Sequence, residues 1–448
     1  MIDSKTALAR CQDLVALAQS MGADAADAVA RANSSEAVSM RLGQLEEVER
    51  SESEEIGLRV FVGKRSASIH TSDFGEDGLR ALAQRAVEMA GHAPEDKHAG
   101  LAPAEEQFAG ELPDLELDDS THPDPAALRE AALATEEAAR AVEGVTNSNG
   151  GTASASRAVM ALATSTGFAR GYSGSGFSLS ASVLAGEGSS MQTDYASRSA
   201  RFRADLPTPE EVGAEAGRRA VAKVDPGSLP SSKMPIVFEP RVGNGLVGHL
   251  LGAMSGPAIA RKASFLLGRE EEDLFDPAIR IVEQPLRKRG QRSRPFDGEG
   301  VACTDRMLVE NGRITGWLTN VSSADQLGLG LTGHASRGSG GSPGVSASNV
   351  HLEPGEITPE QLMADITDGL YVTGLFGQGV NSVTGDYSRG ATGFRIRNGE
   401  IAEPVAEITI AGNLLEMFRA LTPANDLEMY RAINVPTLRI DGMTVAGE

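Results

Sequence analysis

The chain has 448 residues, a formal charge of −21 (41 basic against 62 acidic side chains) and two cysteines. That negative excess opposes non-specific attachment to DNA or anionic membranes, so neither nucleic acid nor a membrane is an expected partner. Cys11 and Cys303 lie far apart without Cys-x-x-Cys spacing, which excludes a disulfide framework and a structural zinc knuckle; with no leader-like pattern at Met1 to Lys5, the expected location is cytoplasmic.

Leu8, Cys11, Leu14, Val15 and Ala18 share one face of a helix predicted from Ser4 to Met21 and stopped by Gly22. Alternating runs at 37–42, 56–62 and 66–71 predict an antiparallel meander, with Gly63-Lys64 as one turn. A helix over 75–89 leads into the Pro-rich, acidic segment 92–113, which reads as a linker. An Ala-rich helix over 123–142, short Gly/Ser-punctuated strands over 145–196 and a helix over 209–224 form a middle unit. The run Asp225-Pro226-Gly227-Ser228-Leu229-Pro230 is the strongest boundary signal, and Pro235-Ile236-Val237-Phe238 opens a carboxy-terminal unit whose Asn311-Gly312 and Asn398-Gly399 dipeptides predict hairpins.

Hairpins rather than crossover helices join these strands, so the expected class is α+β with antiparallel sheets. The divisions fall at 1–112, 113–230 and 231–448, the first two mixing helix and sheet and the last rich in strands. Gly328 to Gly333 satisfies G-x-G-x-x-G and Gly340 to Gly344 satisfies G-x-S-x-G, but neither sits between a strand and a helix. Dinucleotide binding and a nucleophilic serine are therefore not expected. The basic run Arg287, Lys288, Arg289, Arg292 and Arg294 lacks interleaved aromatics and reads as a solvated loop or a partner contact, with an anionic ligand as the alternative.

Gly248, Gly252 and Gly256 recur every four residues and would bare one helical face, either for tight packing against this chain's own sheet or for a partner or peptide. Segment 377–390 concentrates Gln378, Asn381, Thr384, Asp386, Tyr387, Ser388 and Arg389 on a glycine-rich backbone. It reads either as a capped hairpin loop with Asp386 paired to Arg389 or as the border of a groove holding substrate backbone. None of the seven histidines forms an i, i+4 pair with another, so no helical metal pair is preformed.

Several long stretches carry a family likeness: Gly248-His249-Leu250 through Ser255-Gly256, Arg261-Lys262-Ala263-Ser264-Phe265-Leu266, Thr384 to Gly390, and Glu407 to Leu414. With Gly57 to Gly63 near the amino terminus, they resemble the TldD/PmbA family, once described as modulators of DNA gyrase and now regarded as metallopeptidases. The likeness is to the PmbA (TldE) branch. Where the zinc-bearing TldD branch has His-Glu-x-x-x-His, this chain has Asn244, Gly245 and His249, and 425–448 lacks the cysteine that branch uses as a ligand.

The resemblance implies a curved β-rich carboxy-terminal domain, no catalytic or metal-binding residue in this chain, and zinc carried by a TldD-type partner. It also implies an unfolded peptide as substrate, including peptide-antibiotic precursors. The groove candidates are Gly248, Gly252, His334, Gln378, Asn381, Asp386, Tyr387 and Arg389, with His334 able to approach His249. An autonomous metallopeptidase using His249 with other ligands, and a homodimeric peptide-binding module, remain as alternatives.

Overall fold

The computed structural model describes residues 1–121, 123–377 and 379–447. Helix α1 (Ser4–Ser20) starts where the Asp3 carboxylate accepts the Thr6 amide, and it buries Ala7, Cys11, Leu14, Val15 and Ala18. Six strands follow the antiparallel rule and form one sheet in the order β3-β2-β1-β4-β5-β6. They are β1 (Ala25–Arg41), β2 (Gln44–Val62), β3 (Arg65–Thr71), β4 (Val145–Thr164), β5 (Ala169–Ala185) and β6 (Gln192–Ala200). Because β1 bonds to β2 on one edge and to β4 on the other, segments 1–112 and 113–230 share this sheet.

One face of the sheet carries four helices. Helices α1 and α2 (Glu76–His92) cover Ala26, Ala28, Ala30, Ala32 and their neighbours Ile56, Leu58 and Val60. Helices α3 (Pro125–Arg140) and α4 (Pro209–Ala222) cover Val38, Met40, Leu179, Ala181 and Val183. Helix α4 starts at the expected Pro209 with a Thr208/Glu211 capping box, whereas α3 starts at Pro125 rather than 123, behind an Asp124 cap.

The opposite face is divided. At one end Val29, Leu162 and Phe168 pack on Phe296 from the carboxy-terminal unit. At the other end the register brings Ser35, Ser156 and Gly176, then Ala37, Ser154, Ser178 and Ser199, then Ser39, Thr152, Ser180 and Ser197 into successive rows of small side chains. These positions are half-buried or exposed.

In the carboxy-terminal unit β7 (Ser232–Phe238), Asp368–Phe376, Asp386–Arg397, Glu400–Asn413 and Leu438–Ala446 close on one another as a curved five-strand barrel, and Leu421–Pro423 joins its outer edge. Helix α5 (Pro240–Ala253) packs Leu246, Val247 and Leu250 into the same core as Phe238, Leu370 and Ile410. Asn311-Gly312 and Asn398-Gly399 both take the paired positive φ values of a tight hairpin turn, as their residue types require.

Several expectations change. β1 starts at Ala25, not at 37, because its alternating alanines bury one side of a strand without an obvious apolar signature. Residues 44–53 of β2 are strand although exposed on both faces, so no alternation marks them. The 92–113 segment is not a free linker: Gln107 is buried with its side-chain amide bonded to Thr166, and the Phe108 amide donates to the Gly300 carbonyl. β7 pairs with Asp368–Phe376 in parallel, because the chain makes a long excursion between them and returns in the same direction. The basic run binds within the chain, Lys288 and Arg289 to Glu116, and Arg289 also to Asp205.

Candidate functional site

A cleft of about 600 Å³ opens between the open end of the amino-terminal sheet and the barrel. Ser182, Thr193 and Tyr195 from β5 and β6 form one wall, and Thr373 to Phe376, Tyr387 and Arg389 from the barrel form the opposite one. Between them α5 presents Val242, Asn244, Gly245 and His249. The helix can do this because its other side carries the apolar residues 246, 247 and 250, which fix its rotation against the barrel.

An ionic cluster sets the distance between the two walls. Asp194 on β6 accepts from Arg241 at 2.6 and 2.8 Å, and the Lys223 ammonium lies 2.8 Å from its second oxygen. Arg241 also donates to Glu239 at 2.7 Å, and Glu239 in turn holds Arg219 at 3.0 Å. Burial alone would raise the Asp194 carboxyl, but the Arg241 and Lys223 partners outweigh it and bring it down to about 2. The same bonds hold the Arg241 guanidinium above its ordinary range against the opposing effect of burial.

Inside the cleft His249 meets Tyr387 edge-to-face, with ring centroids 6.2 Å apart. Burial lowers the imidazole's pKa, and the Arg389 charge lowers it further, so His249 is neutral at pH 7. Burial pushes the Tyr387 phenol up to about 12, so it stays protonated and able to donate. Arg389 donates its Nε to the Phe376 carbonyl at 3.1 Å.

Of the residues singled out in the sequence, the cleft gathers Asn244, Gly245, His249, Tyr387 and Arg389. Gly248 and Gly252 lie on α5 beyond the cleft lining, and a Cβ at either would meet no atom within 4 Å. The four-residue glycine pattern breaks at Gly256, which begins a separate short helix, Gly256–Ala260, and lies against Ser323 and Leu318. Asn381 and Asp386 organise the exposed turn before the Asp386–Arg397 strand: Asn381 Oδ1 accepts the Val383 amide, and Asp386 accepts from Thr384 and Asn413. Asp386 is thus not paired to Arg389. Gln378 lies outside the described residues.

Both ring nitrogens of His334 have partners other than His249. Its Nε2 lies 2.6 Å from Glu283 and its Nδ1 2.9 Å from Thr332, with histidine and glutamate both 2% exposed. Burial would raise the Glu283 carboxyl, yet the His334 bond keeps it below its ordinary value. Sequence reasoning missed Thr373, Asp194, Arg241 and Lys223, which are distant in sequence; only the clustering of Glu239 and Arg241 at the start of α5 hinted at them.

The donor set does not fit zinc. Among the described residues His249 is the one imidazole on the cleft wall, and Asp194 the one carboxylate, its oxygens already taken by Arg241 and Lys223. Among the described residues no group of three or more His, Cys, Asp or Glu side chains is placed to hold a metal ion. No helix among them is long and apolar enough to cross a membrane.

Three family models for PmbA/TldA metallopeptidases match in chain order: domain 1 at residues 26–90, the central domain at 118–224 and the C-terminal domain at 231–447. The chain is 37% identical over 413 residues to metalloprotease PmbA of Escherichia coli O157:H7, covering 92% of this chain and 90% of that one. It is 35% identical over 459 residues to a metalloprotease PmbA homolog of Haemophilus influenzae, covering 99% of each. The crystal structure of a proposed modulator of DNA gyrase from Bacteroides thetaiotaomicron superposes with a TM-score of 0.91 at 25% identity over 100% of both chains. The three matched domains and the near-complete overlap with these relatives agree with the barrel, the sheet and their order: the chain belongs to the TldD/PmbA metallopeptidase family.

Proposed function

We propose that this chain is the PmbA/TldE-type subunit of a cytoplasmic two-component peptidase, in which a TldD-type partner supplies the zinc and the general base. The observation that carries this reading is on α5: the cleft receives Asn244, Gly245 and His249 side by side. In a zinc-bearing relative those positions would hold a ligand, a base and a second ligand. An amide, a hydrogen and one neutral imidazole bind peptide backbone well and activate water poorly. The cleft and the open serine-lined end of the sheet then form this chain's share of a chamber for unfolded peptides or small proteins. Restoring Asn244→His and Gly245→Glu does not rebuild the site, because Cys11 and Cys303 are both buried elsewhere and no thiolate completes it.

The test is to mix the purified chain with a TldD-type protein and follow association, metal content and peptide hydrolysis together. Expected are a stable heteromer, zinc on the partner alone, and hydrolysis faster than the partner achieves by itself. One zinc tightly bound to the isolated chain, with hydrolysis lost on His249→Ala, would show instead an autonomous enzyme. Absence of association between two folded proteins across a range of concentrations would leave the peptide-binding module.

A further inference from the structure

The cleft wall is rich in donors and poor in acceptors. Arg241 and Lys223 are neutralised by Asp194, and Arg241 also by Glu239. Arg389 is different: its Nε is anchored on the Phe376 carbonyl, and among the described residues it has no carboxylate partner. Its guanidinium charge faces the cleft uncompensated, in a chain of formal charge −21. Tyr387, His249 and Asn244 line the same cleft. Thr373, 6% exposed on the same wall, has an Oγ1 with no hydrogen-bond partner among the described residues.

Resting on the reading of this cleft as a substrate site, we propose that it captures a carboxylate of the bound peptide, with Arg389 as the residue that reads it. A planar guanidinium held at Nε still offers donors on its outer edge in the fork that matches a carboxylate, and a partly buried setting strengthens that pairing. The acceptor-rich anion also satisfies the neighbouring hydroxyl, imidazole and amide donors. A peptide ammonium has the wrong sign here, since Asp194 is already fully engaged. Phe376, 59% exposed at the mouth beside Leu375 and Val242, gives an apolar surface for the side chain next to that carboxylate. The carboxylate comes either from a free carboxy terminus or from an acidic side chain, and the chemistry is shared.

Calorimetric titration of the intact chain with three acetylated tripeptides separates these sources: one apolar with a free carboxy terminus, the same peptide amidated, and an amidated peptide carrying one Glu. The free acid should bind more tightly than the amide by on the order of tenfold or more, the range set by a charge-assisted pair. Arg389→Gln should abolish that preference, Arg389→Lys should keep part of it, and raised salt should erode it in the native chain. Equal binding of the Glu-bearing amide, lost in Arg389→Gln, assigns the site to any peptide carboxylate; its failure to bind assigns the site to the terminus.

Equal affinity for acid and amide, a preference that survives Arg389→Gln, or no binding of any peptide to chain whose thermal melt shows it folded would each overturn the proposal. Should Arg389→Gln not fold, the salt dependence and Arg389→Lys still decide. Association with a TldD-type partner, measured on the same samples, keeps the two readings apart. Association without carboxylate preference defeats this inference alone, and carboxylate preference without association defeats only the subunit reading.

Discussion

Two of the ionic seams that fasten the amino-terminal sheet to the carboxy-terminal unit treat water differently. In the sealed seam Arg59 lies 2.5 Å from Asp27 and 3.4 Å from Glu299, Arg337 holds the other Asp27 oxygen, and every member is 7% exposed or less. In the cleft seam Lys223 and Glu239 remain 12% and 14% exposed around the Asp194–Arg241 pair. Arg337 also keeps Nε and Nη2 without a hydrogen-bond partner among the described residues. Desolvation in the sealed seam is thus only partly compensated, which makes it a device for fixing one docking geometry more than a source of stability. The cleft seam can stay wet because it borders the open cleft.

The largest expected effect tests that contrast directly. Asp27→Ala strands the buried Arg337 guanidinium and leaves Arg59 only its longer contact with Glu299, and should cost about 3–5 kcal/mol in a urea melt. Asp194→Ala removes the corresponding carboxylate from the cleft seam, but Glu239 still binds Arg241 and water reaches Lys223, so about 2 kcal/mol is expected. Equal losses would abolish the distinction.

Acid gives a second reading of the same pair. The Asp194 carboxyl has its folded pKa depressed to about 2, so its contribution is complete above the unfolded value of 3.8 and fades as the pH falls from there toward 2. That is on the order of 2 kcal/mol, and Asp194→Asn should flatten the stability profile in this window. A profile unchanged by the substitution would mean that the pair does not tighten the cleft.

Replacing Asp27 and Arg337 together by Leu and Met removes the orphaned Arg337 donors with their charge and leaves Arg59 paired to Glu299. This double variant should lose less stability than Asp27→Ala alone. A loss as large as that of Asp27→Ala would make the sealed seam a true source of stability. The smallest effect is expected on α5, where Gly252→Leu meets open space and removes up to about 1 kcal/mol of helix penalty, so the melting temperature should hold or rise. If that face meets a partner or peptide, binding should weaken in the same variant.

Local signals in the sequence located what local physics decides. The helices expected from Ser4 and from Pro209 and the two Asn-Gly turns lie where their residues demand them, whereas the helix expected from 123 begins at Pro125, behind an Asp124 cap. What escaped notice depends on distant partners. The helix-covered face of this segment, Ala26, Ala28, Ala30 and Ala32, shows only alanine, and its strand is fixed by β2, β4 and two helices. Leu42-Gly43 turns like an Asn-Gly pair although Leu42 carries no such signature, because buried Glu136 on α3 accepts both turn amides, at 2.6 and 2.9 Å. In the cleft, Asn244, Gly245 and His249 were legible as a departure from a family pattern, and Tyr387 and Arg389 as part of a dense polar segment. His334 was misplaced because a histidine after glycine looks the same in sequence whether it faces a groove or a buried glutamate.

The double engagement of β1 has a consequence in time. A ribosome releases β1, β2 and β3 well before β4, so the nascent meander waits with the inner edge of β1 unpaired and its carboxy-terminal half without α3. During that interval the edge is a template for any other extended chain, and Glu136 is not yet present to lock the 42–43 turn. Arrival of residues 125–164 closes the edge and the turn together. The chain's own unfinished sheet is the first extended chain it has to keep from pairing wrongly.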